Sequence, residues 1–254
     1  MTLRDTIAAG QPVLGTFITT PACQIVEILA LSGLDFLVAD GEHAPIDLRD
    51  LDMMALAARA GGMPLGIRPR ISTIDYISPA MDLGCSLVLA PHVRSRADAV
   101  EVVRSVRFSG RGRGFSPSTR AANYGNMDHG EYKRIANEEA VVMVQIEDVE
   151  ALENLDDIAG VDGVDVLFVG PADLGESLGC GAGDPVLRDA ILKITGAARK
   201  AGKAAGLFVA RSEAIPGWLD AGISVFVCGS DQSLLQAGAR TISLPQNPNP
   251  NPNP

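Results

Sequence analysis

The chain has 254 residues, 31 Asp and Glu against 21 Lys and Arg, and a formal net charge of −10. That balance argues against nucleic acid or an anionic membrane as the main partner. The length suits one large α/β barrel, and 46% hydrophobic with only 4% aromatic residues implies a large, mostly aliphatic core. Cys23, Cys85, Cys180 and Cys228 lack C-x-x-C spacing and read as reduced intracellular thiols, not as zinc ligands or a disulfide framework. The polar start M-T-L-R-D-T has no secretory core. The longest apolar stretch is broken by Glu27, Gly33 and Asp35, so no membrane span is expected and the cytoplasm is the expected compartment.

In chain order, short aliphatic runs at 12–18, 34–40, 64–69, 86–93, 140–147, 164–170, 204–210 and 224–229 predict eight strands. Helix signals fall between them. Residues 47–61 have an acidic first turn and a terminal glycine. Ser95 stands three residues before Asp98 at the head of a segment that turns basic, as the helix dipole prefers. Pro185 opens a helix that ends at Gly202, and Ala151–Val161 reads as a helix between strands five and six. Eight near-continuous apolar strands, each followed by a helix, predict an α/β fold of the (β/α)8 TIM barrel type over residues 1–245, with an open doubly wound sheet as the alternative. The tail 246–254, Q-N-P-N-P-N-P-N-P, predicts a disordered or extended appendage or an expression scar.

In a barrel, chemistry gathers at the C-terminal ends of the strands. Those ends carry Asp40, Glu42 and His43, then Arg68, His92, Gln145 and Glu147, and finally Asp173, whereas strands seven and eight end blandly. Arg68 interrupts an otherwise apolar strand and is either a structural ion pair or a functional cation. His43 follows two acids in D-G-E-H. His92 is either a functional group or a hydrogen-bonded loop residue, and His129 reads as a solvated loop residue. Glu147 and Asp173 follow parallel neighbouring strands, about 5 Å apart, on one edge. They either cap the helices that follow or share one divalent cation.

Lysine supplies a negative result. Of Lys133, Lys193, Lys200 and Lys203, three lie in predicted helices and Lys203 precedes strand seven on the wrong edge. No amine is available for a Schiff base, so carbonyl chemistry here requires a metal as Lewis acid. The stretch R-F-S-G-R-G-R-G-F-S-P-S-T-R (107–120) is no dinucleotide fingerprint, because it follows a helix. It is expected to lay Arg and backbone N–H groups over the mouth or at a subunit contact.

The motifs D-F-L-V-A-D-G-E-H-A-P, V-Q-I-E and G-V-D-V-L-F-V-G-P-A-D-L, in that order, resemble the HpcH/HpaI family of metal-dependent (class II) pyruvate aldolases. The resemblance runs from about Gly15 to Gly229. It implies reversible cleavage of 4-hydroxy-2-oxo acids, such as 4-hydroxy-2-oxoheptanedioate, to pyruvate or a substituted pyruvate such as hydroxypyruvate and an aldehyde. It also implies Mg²⁺, Mn²⁺ or Co²⁺ on Glu147 and Asp173. The substrate carboxylate would sit at the N–H groups of Ala172 and Asp173 with Gln145 nearby, Arg68 at the keto oxygen, and His43 as base assisted by Asp82. A homo-oligomer, expected as a hexamer, and small-molecule partners follow from the same resemblance. The sequence departs from the family's R-Y-P-P at Arg107, Phe108, Ser109 and Gly110, which predicts a more mobile loop and an altered aldehyde preference if the loop covers the mouth. Two other functions stay open. One is a citryl- or malyl-CoA-type lyase, with Arg111, Arg113 and Arg120 for the CoA phosphates; the other is a non-catalytic metal-binding barrel.

Overall fold

A computed structural model describes residues 1–110 and 112–242 of the protein. Among them, eight parallel strands close into a barrel in chain order. They are β1 Val13–Ile18, β2 Phe36–Asp40, β3 Leu65–Arg68, β4 Leu87–Ala90, β5 Val141–Ile146, β6 Val166–Val169, β7 Ala204–Val209 and β8 Val225–Ser230. β8 pairs with β1 through Val13 opposite Val225 and Leu14 opposite Phe226, which closes the ring and removes the open-sheet alternative. Arg111 and the Asn-Pro tail lie outside the described residues. No helix among the described residues is long and apolar enough to cross a membrane.

Two apolar layers follow from the two-residue period of a strand. Phe17, Phe36, Val38, Leu89, Met143 and Phe168 fill the barrel interior. The alternate positions Ile18, Leu37, Ala39, Val88, Val142 and Leu167 pack outward against the helices. A Cβ at Gly15 would collide with Phe36, and one at Gly206 with Phe168, so these glycines make room for large rings in the interior. Continuing the inward parity past the apolar layers brings Asp40, Arg68, Gln145 and Glu147 to the C-terminal mouth.

The helices begin where the capping residues stand. Asp47 accepts from the N–H groups of Arg49 and Asp50 ahead of the helix Leu48–Gly61, and Gly62 ends it in the left-handed region. Ser95 and Asp98 cap each other at the start of Arg96–Val106. The expected helix over 151–161 is instead two short ones, Val149–Glu153 and Leu155–Ala159. They break at Asn154, whose amide donates to the carbonyls of Arg94 and Glu150, an alternative to regular helix that asparagine offers the backbone.

The arginines described in the 107–120 segment turn away from the mouth of their own barrel. Arg107 donates to the carbonyls of Ala140 and Gly163 and to Asp165, all just ahead of β5 and β6 at the N-terminal edge. Arg113 is 5% exposed, donates to Asp82 and to the Tyr132 hydroxyl, and stacks 4.5 Å over the Phe108 ring. Arg120 pairs with Asp52. Arg113 and Arg120, expected for CoA phosphates, are thus engaged in holding the fold.

Candidate active site

Asp40, the last residue of β2, is 2% exposed and organises the mouth. It accepts Arg68 Nε–H at 3.0 Å and Nη2–H at 2.7 Å, a two-point pair that fixes the guanidinium plane. Its Oδ1 also accepts the backbone N–H groups of Glu42 and His43, each at 3.1 Å, which folds the D-G-E-H turn back on the strand. The Arg68 guanidinium lies 4.4 Å from the centroid of the Phe17 ring, and its Nε is 3.5 Å from Glu42. The structural ion pair and the placement at the mouth therefore hold together.

Glu147 follows β5, and β5 pairs with β6 through Gln145 opposite Phe168 and Ile146 opposite Val169. This register puts Glu147 beside Gly170, where the helix Pro171–Leu178 begins. Neither acid is a helix cap. The helix after Glu147 has Asp148 at its N-cap, the helix bearing Asp173 has Gly170, and neither has a side-chain cap bond. Glu147 is 2% exposed, and burial pushes its carboxyl up to about 7. The His92 backbone N–H and ring oppose that rise, while the Asp173 and Glu42 carboxylates add to it.

These groups fit an oxygen-ligated divalent cation. Glu147 is a buried anion short of positive charge, Asp173 carries a second carboxylate within its field, and Gln145 Oε1 is buried without a hydrogen-bond partner. Gln145 Nε2 contacts Glu147 Oε2. Among the described residues no group of three His, Cys, Asp or Glu side chains is placed to hold a metal, so Glu147 and Asp173 would leave much of the coordination sphere open.

A pocket of about 430 Å³ opens at the mouth. Asp40, His43, Arg68, Gln145, Ala172 and Asp173 line it, together with Phe17, Thr19, Phe208, Ser230 and Ser233. Gly170 lines it too and stands directly before the acid. A Cβ there would lie 2.5 Å from Gln145 Nε2 and 2.7 Å from Glu147 Oε2. The first-turn N–H groups of Ala172 and Asp173 have no acceptor within their own helix, which suits an anion.

Arg68, Gln145, Ala172, Asp173 and His43 thus meet at one pocket, with Glu147 in its wall. Asp82 does not join them. The helix Ile74–Asp82 runs back from the mouth toward the N-terminal edge of the strands, and its last residue pairs with Arg113 there. The acid beside His43 within this chain is Glu42, with Oε2 3.7 Å from Nε2. His92, which the sequence leaves open between a functional group and a hydrogen-bonded loop residue, touches both Glu147 and Glu42. None of the pocket-lining residues is lysine, and Lys203 donates to the Val161 and Val164 carbonyls at the opposite edge.

The sequence model of the HpcH/HpaI aldolase/citrate lyase family matches residues 14–237. A hydroxypyruvate/pyruvate aldolase of Pseudomonas aeruginosa is 36% identical over 246 residues, covering 94% of this chain and 90% of that protein. A 4-hydroxy-2-oxo-heptane-1,7-dioate aldolase of Klebsiella pneumoniae is 34% identical over 250 residues, covering 94% of this chain and 91% of its own length. The crystal structure of an HpcH/HpaI aldolase from Desulfitobacterium hafniense superposes with a TM-score of 0.89 at 30% identity, covering 98% of this chain and all of the other (100%). With this fold, this mouth and these relatives, the chain belongs to the HpcH/HpaI aldolase/citrate lyase family.

Proposed function

We infer that the protein is a class II aldolase that reversibly cleaves 4-hydroxy-2-oxo acids to pyruvate, or hydroxypyruvate, and an aldehyde. The observation that carries this reading is the joint supply of Arg68, His43 and the Ala172 and Asp173 N–H groups to one pocket walled by Glu147, with no lysine lining it. Glu147 and Asp173 would hold a divalent cation (Mg²⁺, Mn²⁺ or Co²⁺), which would supply Lewis acidity to the bound 2-oxo acid.

The N–H groups of Ala172 and Asp173 receive the substrate carboxylate. Arg68, held rigid by Asp40, stabilises the negative charge that develops on the 2-oxo oxygen. His43 takes the proton of the C4 hydroxyl, because an imidazole titrates near neutral pH. As that proton leaves, C4–O becomes a carbonyl and the C3–C4 electron pair moves toward C2. Protonation at C3 then completes pyruvate. Glu42, rather than Asp82, is the acid beside His43 in this chain.

The lining also bears on the aldehyde. Arg68 is the only Arg or Lys among the pocket-lining residues, and it serves the 2-oxo acid half. A carboxylate on the far end of the aldehyde finds no second cation there, whereas Thr19, Ser230 and Ser233 offer hydroxyl groups. Small uncharged hydroxyaldehydes are therefore favoured over the semialdehyde of a seven-carbon diacid. With Mn²⁺ and pyruvate or hydroxypyruvate as donor, glycolaldehyde or glyceraldehyde should be consumed faster than succinic semialdehyde. The opposite ranking would remove this assignment, and no carbon–carbon bond formation with any donor would remove the aldolase reading itself.

A further inference from the structure

His92 has contacts that none of the assigned roles uses. Its backbone φ is 54°, in the left-handed region that residues bearing a Cβ rarely adopt. That conformation turns the residue after β4 onto the acid at the end of β5. The backbone N–H donates to Glu147 Oε1 at 2.7 Å, and ring Nδ1 stands 3.1 Å from the same oxygen. On its other side, ring Nε2 is 3.0 Å from Glu42 Oε1. Asp148 Oδ2, 3.7 Å from Nδ1, is the remaining acid facing the ring. The opposite oxygen of Glu147, Oε2, lies against Gly170, itself a pocket-lining residue, and accepts from Gln145 Nε2.

We propose that His92 is a positioning residue that holds Glu147 Oε1 on the protein side and so fixes the orientation of the Glu147 carboxylate toward a cation. Glu42, on the far side of the ring, also meets Arg68 at 3.5 Å and His43 at 3.7 Å. This inference rests on the reading of Glu147 as a cation ligand. Partners that orient a ligand from behind typically change metal affinity by about 10–100-fold when removed.

The test is Mn²⁺ affinity of the full chain, measured by electron paramagnetic resonance without substrate. His92→Gly accepts the left-handed backbone and keeps the N–H to Glu147, so it deletes only the ring. It should bind Mn²⁺ about tenfold more weakly, with no fall in melting temperature. His92→Asn tolerates the same backbone, places an amide atom where Nδ1 stood and loses only the reach to Glu42, so it should recover most of the affinity. A ring acting merely as a positive neighbour would have the opposite sign, its removal tightening Mn²⁺. Affinity in His92→Gly equal to or tighter than that of the parent overturns the proposal, as does a His92→Asn protein as weak as His92→Gly. A parent chain that binds no Mn²⁺ at all would instead overturn the cation reading of Glu147, and this inference with it.

Discussion

Arg68 and Asp40 stand as a pair. Both are nearly buried, and removing one leaves the other an uncompensated charge, which costs about 3–5 kcal/mol. Arg68→Ala should therefore lower stability to urea by about that amount as well as turnover, while the double change with Asp40→Asn should recover part of the stability but not the turnover. Equal stability of the single and double variants would mean that the pair is not coupled. Gly170→Ala is the second residue-scale prediction. Its backbone is not left-handed, so any loss is steric: the methyl meets Gln145 and Glu147. Mn²⁺ affinity should fall with little change in melting temperature, and unchanged affinity would contradict the placement of Glu147 behind this glycine. Arg68 was legible in the sequence because a charge inside an apolar strand has few places to go. His92 was not, because its partners Glu42 and Glu147 lie far away along the chain. Within one chain the strand–helix direction puts Asp82, at the end of its helix, on the far edge beside Arg113, away from His43.

At the scale of elements, capping chemistry set the starts that the sequence predicted. Ser95 and Asp98 form the reciprocal pair expected from their spacing, and Ser95→Ala should cost about 1 kcal/mol in a denaturation experiment. The strands were legible as aliphatic runs, but those at 64–69, 86–93, 140–147, 164–170 and 204–210 run past their strands at the mouth, where Glu147 and Gly170 leave the ladder to enter the site. Asn154 shows the converse limit: a helical pattern over 151–161 gave no sign of the carbonyls that draw its side chain out of line. Cys85 lies ahead of β4, fully in the core, and burial pushes its thiol up to about 12 against a small opposing pull from Arg113. A raised thiol pKa means the neutral, unreactive form persists well above pH 8. In native protein at that pH, Cys85 should be the last of the four cysteines alkylated by iodoacetamide, as read by mass spectrometry. Early modification would show that this layer opens locally.

For the whole molecule, closure of eight parallel strands brings side chains from β2, β3, β5 and the start of the helix after β6 to one mouth. Composition and strand count led to that architecture; the missing lysine led to the chemistry. Exposed Ile28, Leu31 and Leu235, at 63%, 90% and 71%, are large apolar groups that an assembly would cover, and a homo-oligomer is expected by light scattering, with a hexamer as the expected size. The central claim is that carbonyl activation depends on a divalent cation at Glu147 and Asp173 and not on a lysine. Release of pyruvate from a 4-hydroxy-2-oxo acid, measured after EDTA treatment and again after adding back Mn²⁺, tests it most directly. Release should stop in EDTA and return with Mn²⁺; undiminished release from the metal-stripped protein would contradict dependence on a cation.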